Sequence, residues 1–111
     1  MEKSLRNAQE DVDDWIRKFE EGYWSSLSIL GRLIEELGEI SRILNALEGE
    51  KKPKRENVEE NLQEEIGDLL FTLICLANKH DVDLQKALEM VMNKYADRDT
   101  TRWTLKENGE D

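Results

Sequence analysis

Two stretches of this 111-residue chain, EELGE at 35–39 and EEIGD at 64–68, repeat the order acid, acid, apolar residue, glycine, acid. On a helix, residues three apart point the same way, so Glu36 pairs with Glu39 and Glu65 with Asp68. Clusters offering only oxygen suit Mg2+ or Mn2+, hard cations that accept carboxylates and keep several waters. An isolated E-x-x-E is more often a solvated helix face balanced by lysine or arginine. That bland reading holds for the first pair, because Arg32 and Arg42 lie within helical reach. It fails for the second. From Glu56 to Asn78 there are six acids and no Lys or Arg. Glu56, Glu59 and Glu60 fit the positive end of a helix dipole. Glu64, Glu65 and Asp68 lie past the first turn, and Glu64 opposes Asp68 at i, i+4, a repulsion of about 0.2–0.5 kcal/mol. The cluster wants a cation from elsewhere. Gly38 and Gly67 each cost about 1 kcal/mol relative to alanine inside a helix. Their matching positions point to close approach by another backbone or by a liganded metal.

Other chemistry-bearing residues are few. Lys94 and Arg98, four apart near the C-terminal end, share a helix face that can meet phosphate oxygens, though taken alone an ordinary basic helix terminus explains them better. Tyr23 and Trp24 can wall a pocket for a flat base or simply cover the next helix, while Trp15 and Trp103 read as packing. Di-iron sites in helix bundles use Glu-x-x-His pairs. The single histidine, His80, has Ala77 three residues before it and reads as a helix C-terminal residue instead. There is no Ser–His–acid set, no phosphate-binding Gly-rich loop and no zinc-ligand spacing.

The elements that must position these residues are all helical, since apolar spacing follows the 3.6-residue period and no strand-like alternation persists. Leu5, Ala8, Val12, Trp15, Ile16 and Phe19 mark a first helix, ended near Gly22. Ser25 or Ser26 caps a second with the stripe Leu30, Leu33, Leu37, Ile40, Leu44 and Leu47, closed by Gly49. Asn57 with Glu60 forms a capping pair for a third, running to about Lys79. Asp81 or Asp83 opens a fourth, with Leu84, Ala87, Leu88, Val91, Met92 and Tyr95 on one side. The third helix carries Leu62, Ile66, Leu69, Leu70, Leu73 and Ala77 on one face and Phe71 and Cys75 on roughly the other. It is apolar all round from Leu69 and needs cover on both sides, which four short helices do not supply. A homo-oligomer with this helix at the subunit interface is the simple remedy. The expected architecture is an all-α four-helix bundle, one domain over residues 1–103, with a frayed tail over 104–111.

Net charge bounds the partners. With Lys+Arg 16 against Asp+Glu 26, the chain carries −10 and on average repels nucleic acid polymers and anionic membranes. A phosphate-bearing small molecule stays open, because cations can bridge two anionic partners. The lone Cys75 cannot form an internal disulfide, and the N-terminal residues have no signal-peptide core. The longest apolar run, 69–77, is too short to span a bilayer, and the expected location is the cytoplasm.

Taken together, the residues resemble a family. Glu36 and Glu39 as E-x-x-E, a gap of twenty-five residues, then Glu65 and Asp68 as E-x-x-D, each preceded by a glutamate, look like the signature of MazG-type nucleoside triphosphate pyrophosphohydrolases, members of the all-α NTP pyrophosphatase superfamily. NKYADRD at 93–99 is similar to that family's C-terminal basic motif, with Asp99 where a second arginine or an aromatic often stands. The resemblance runs from about Asp13 to Trp103. It implies hydrolysis of an NTP or dNTP between the α and β phosphates to a nucleoside monophosphate and pyrophosphate. Glu36, Glu39, Glu65 and Asp68 would hold Mg2+ (or Mn2+), Glu35 or Glu64 would orient or deprotonate the attacking water, and Lys94 and Arg98 would hold phosphate. It also implies a homodimer or homotetramer with the site near the subunit interface. Three alternatives stand beside it: a relative acting on dCTP or a phosphoribosyl-nucleotide, a catalytically silent helical module binding a nucleotide or protein, and a purely structural bundle with an acidic face.

Overall fold

The computed structural model describes residues 3–49 and 58–107, the side chains of 58–60 excepted. It consists of α1 (Leu5–Ile16), α2 (Ser26–Glu48), α3 (Val58–Lys79) and α4 (Leu84–Asp99), with no strand among the described residues. Local chemistry sets most of the boundaries. Ser4 and Asn7 form a reciprocal capping box at the start of α1. The Ser25 hydroxyl accepts from the Ser28 amide at the start of α2, and Asp83 accepts from the Lys86 amide at the start of α4. Gly49 ends α2, as its position predicts. The expected Asn57 cap lies outside the described residues, as does the tail beyond Glu107.

At the α3–α4 junction Asp81 adopts a left-handed φ of 55°. The Val82 amide donates to the Ala77 carbonyl and the Asp81 amide to that of Asn78, the paired bonds of a Schellman stop. Asp81 therefore closes α3, and Asp83 alone opens α4. The first helix stops at Ile16, earlier than the position of Phe19 suggests. The chain tightens there into consecutive turns, Phe19 amide to Ile16 carbonyl and Gly22 amide to Phe19 carbonyl, and Gly22 turns it at φ 62°. Phe19 still meets Trp15 edge-on, with ring centroids 5.2 Å apart.

Packing is centred on α2 and α3, which run antiparallel. Ser26 Oγ near the start of α2 lies 2.7 Å from His80 Nε2 just past the end of α3, and Lys79 Nζ donates to the Trp24 carbonyl at 2.7 Å. The middle of each helix then falls beside the other. Helix α1 crosses the far end of the pair. Its Gln9 amide donates to Asn78 Oδ1 and to the Val82 carbonyl, and Arg6 meets Asp83.

The line that α2 buries differs from the stripe expected from its leucines. Ile29, Glu36 and Ile43, spaced by sevens, form the buried spine, while Leu30, Leu37, Leu44 and Leu47 are exposed. On α3 the inward side is that of Thr72, Ile74, Cys75 and Ala77, and Ile66, Leu70 and Leu73 face outward. The reason is common to both helices. The side that carries Glu36 on α2 turns toward the side that carries Glu65 and Asp68 on α3, and the leucine-rich sides are rotated out. Among the described residues packing requires neither Gly38 nor Gly67, since a methyl group added at either meets no neighbouring atom within 4 Å.

Candidate metal centre and adjoining cleft

Glu36, midway along α2, meets Glu65 and Asp68, one turn apart on α3. One carboxylate oxygen from each lies within 4.8 Å of the others. Glu36 is only 4 % exposed, which for an ionised side chain demands compensation. It comes from the same helix: Arg32 Nη2 sits 2.7 Å from Glu36 Oε1, one turn back. The second partner is Glu65. Its carboxyl is pushed from 4.5 to about 7, first by the hydrogen bond with Glu36, then by burial, then by the negative charges of Glu36, Asp68 and Glu39. Near neutral pH the Glu65 carboxyl is thus still partly protonated, in the place where a cation would relieve the acidic cluster. The donor set fits a hard divalent ion. Mg2+ binds oxygens at about 2.0–2.1 Å, which places coordinated oxygens roughly 3–4 Å apart, within small side-chain movements of this arrangement.

Of the remaining acids, Glu39 lines the same pocket, of about 460 Å³, but its carboxylate is turned to Arg42 at 2.7 Å. Glu35 is on the rim, exposed, with Arg32 Nη1 3.6 Å away. Glu64 is exposed and does not line the pocket. Lys94 and Arg98 are not brought to the acids. They lie on α4, line neither this pocket nor the neighbouring cleft, and flank the Tyr95 ring, with Arg98 paired to Asp99 at 2.8 Å.

Beside the acidic pocket lies a cleft of about 590 Å³, and the two share Arg32 and Asp68. Its walls are Trp15, Phe19, Tyr23, Trp24 and Phe71, and its lining includes Ile29, Thr72 and Cys75. The cleft exists because the turns after Ile16 carry α1's aromatic face over the start of α2. Tyr23 is pinned there by its hydroxyl, which donates to Asp13 Oδ1 at 2.6 Å and accepts from Asn78 Nδ2 at 3.1 Å. Burial and the bond to Asp13 push the phenol up to about 12, so it stays protonated. That bond, followed by the one from Arg17, holds the Asp13 carboxyl below its usual range. Burial raises the Cys75 thiol and keeps it neutral in the cleft lining. Thr72 is buried beside it and donates to the Asp68 carbonyl at 2.8 Å.

Of the two aromatic residues expected at a base pocket, both line the cleft: Tyr23 as a fixed wall and Trp24 as an exposed rim. Three walls were not anticipated as such. Trp15 and Phe19 are four apart on the apolar side of α1, a spacing that shows a shared face but not what it faces. Phe71 shares its helix side with Asp68, a signal that was legible. Arg32 reads from sequence only as a neutralising neighbour of the first acidic pair.

The antiparallel helix pair joins three carboxylates across its midline, next to an aromatic cleft. Residues 24–103 match the MazG nucleotide pyrophosphohydrolase domain, and the chain belongs to that all-α family. Among its relatives is the uncharacterised protein YpjD of Bacillus subtilis, 46 % identical over 108 residues and covering 97 % of each chain. YvdC of the same organism, also uncharacterised, is 29 % identical over 79 % of this chain and 92 % of its own. The crystal structure of B. subtilis YpjD superposes with a TM-score of 0.79 at 45 % identity, over 86 % of this chain and 97 % of that one. The crystal structure of the Bacillus-conserved MazG protein, a nucleotide pyrophosphohydrolase, matches with a TM-score of 0.75 at 40 % identity, over 85 % and 90 % of the two chains. The four-helix architecture is thus that of MazG-like proteins.

Proposed function

We infer that this chain hydrolyses a nucleoside triphosphate, NTP or dNTP, between its α and β phosphates, releasing a nucleoside monophosphate and pyrophosphate. The observation that carries this reading is the juxtaposition of Glu36, Glu65 and Asp68 with an aromatic cleft that shares Asp68 and Arg32 with them. Glu36, Glu65 and Asp68 would hold Mg2+ or Mn2+, and Glu39 would join them on leaving Arg42. The bound cation supplies charge neutralisation at the phosphate oxygens and at the leaving pyrophosphate. The chain supplies the positioning. Tyr23, Trp24 and their aromatic neighbours take the flat base, which leaves the phosphates at Asp68 and the acidic pocket. Of the two glutamates considered for handling the attacking water, Glu35 is the better placed, because it stands on the pocket rim and Glu64 does not.

The active form in this reading is a homodimer or homotetramer in the cytoplasm. In support, the outward sides of α2 and α3 present Ile34, Leu37, Ile66 and Leu70 to solvent, and α4 has no buried residue. Phosphate binding by Lys94 and Arg98 belongs to the same proposal, since within one chain neither reaches the acids, and only α4 of a second copy would bring them there.

The test is a panel of canonical, deoxy and damaged nucleoside triphosphates, with dCTP and phosphoribosyl-nucleotides added and products identified by mass spectrometry. The expected result is Mg2+-dependent release of monophosphate and pyrophosphate, abolished in Glu65→Gln. Turnover that Glu65→Gln leaves intact would sink the reading.

A further inference from the structure

Among the described residues, Arg32 is the only basic residue that lines either the aromatic cleft or the acidic pocket, and it lines both. It stands one helical turn before Glu36, between the aromatic walls and the three-carboxylate cluster. Its guanidinium is tied to a carboxylate that is 4 % exposed, while the Arg32 side chain itself is 48 % exposed. An ordinary i, i+4 surface pair has both ends in solvent and little consequence. Here one end is buried in the cluster and the other is open to the cleft.

We propose that Arg32 has two successive partners: Glu36 in the metal-free protein, and the nucleoside-proximal phosphate of the substrate once a divalent cation has taken over Glu36. The proposal rests on the nucleotide reading above and assigns a phosphate contact within the same chain. Two physical facts favour the exchange. A guanidinium and a divalent cation compete for one carboxylate, and the charge arriving on Glu36, Glu65 and Asp68 repels Arg32. The released guanidinium is a planar fork of donors that matches phosphate oxygens two at a time. Its position decides which phosphate it meets. The base occupies the aromatic cleft and the metal-bound phosphates occupy the acidic pocket, so the boundary between them, where Arg32 sits, belongs to the phosphate next to the ribose.

The experiment is calorimetric titration of the full chain and of Arg32→Gln and Arg32→Lys. The probes are Mn2+ alone, each of the four common nucleoside monophosphates, and inorganic pyrophosphate, the last two in the presence of Mn2+. Arg32→Gln is expected to bind Mn2+ roughly 3- to 10-fold tighter, because the competing cation is gone, and the monophosphates about 10-fold or more weaker. Pyrophosphate affinity should stay within about twofold, and Arg32→Lys should recover part of the monophosphate loss without the gain for Mn2+. These changes have opposite signs, which a merely structural role for Arg32 does not produce. Mn2+ affinity that is unchanged or weaker in Arg32→Gln overturns the proposal. So does a monophosphate affinity that is unchanged, or one that falls in parallel with pyrophosphate. If Arg32→Gln fails to fold, the Arg32 Nε–Hε NMR signal of the unsubstituted protein decides instead: it should move on addition of Mg2+, and a signal indifferent to saturating Mg2+ overturns the proposal. Failure of the reaction itself looks different, namely a protein that binds Mn2+ but releases no pyrophosphate, and it leaves the Mn2+ comparison readable.

Discussion

Glu36 gives up nearly all of its hydration in the middle of α2, and its neighbours show what replaces it: a guanidinium on one side and the Glu65 carboxyl, held toward its protonated form, on the other. This arrangement has a definite pH dependence. The folded-state value of Glu65, about 7, lies above its ordinary 4.5, so the folded protein favours the protonated form. The resulting stabilisation is complete below pH 4.5 and is lost as pH rises through 7. Metal-free protein should therefore show its Glu65-dependent loss of thermal stability between those values, and Mg2+ should restore it at pH 8. Glu65→Gln, which mimics the protonated acid, should melt higher than the unsubstituted protein in EDTA at pH 8 and gain nothing from Mg2+. Calorimetric melts at pH 5 and pH 8 with EDTA or Mg2+ check both, and a metal-free protein whose Glu65→Gln variant melts lower at pH 8 contradicts them. By the same linkage, Mg2+ affinity should fall as pH drops below about 7, because the proton and the cation compete for Glu65. Tyr23 titrates at the other extreme. Its phenol, raised from 10.0 to about 12, contributes stability below pH 10 that is lost as pH rises through 12. Tyr23→Phe should remove that alkaline step and cost about 1–2 kcal/mol in denaturant unfolding at pH 7, since it breaks the bonds to Asp13 and Asn78.

At the scale of the helices, the burial pattern makes a sharp contrast available. Ile43 is 4 % exposed on the buried spine of α2, and Ile34 is 63 % exposed on its outer side. Ile43→Ala should cost about 2–4 kcal/mol. Ile34→Ala should change the stability of a single chain by less than about 0.5 kcal/mol, and urea unfolding of the two variants measures the difference. Gly67→Ala should stabilise α3 by about 0.5–1 kcal/mol, because none of the described residues occupies the space its methyl group would take. Reduced turnover in that more stable variant would show that the glycine serves the site and not the fold. Much of this level was legible in the sequence. Ser25, Gly49 and Asp83 act as caps and stops where their chemistry places them, and the paired acidic motifs contain, beside Glu39, the three residues Glu36, Glu65 and Asp68 whose carboxylates the helices bring together. The rotation of α2 and α3 was not legible, because a stripe of leucines is the stronger hydrophobic signal than Ile29, Glu36 and Ile43. Periodicity reports which residues share a side; it does not report that a side carrying a charge is the one turned inward. The early end of α1 escaped for a similar reason, since Trp15 and Phe19 stay in contact although the helix between them has ended.

For the whole molecule, the same rotation leaves apolar surface that the described residues do not cover, along α2, α3 and α4, where Leu37, Leu70 and Leu88 are 58 %, 46 % and 51 % exposed. Sedimentation should give a dimer or tetramer, and Leu70→Glu should shift it toward monomer with the helices retained by circular dichroism. A monomer at all concentrations would remove Lys94 and Arg98 from the phosphate-binding account and leave Arg32 as the basic residue at the site. The central claim is narrower than the assembly: three carboxylates gathered by α2 and α3 act on a nucleoside triphosphate at its α–β linkage. The most direct measurement is phosphorus NMR of a triphosphate turning over with Mg2+, in the unsubstituted protein and in Glu65→Gln. The account predicts that the monophosphate and pyrophosphate signals rise together in the first sample and that neither appears in the second; orthophosphate rising with a diphosphate would contradict it.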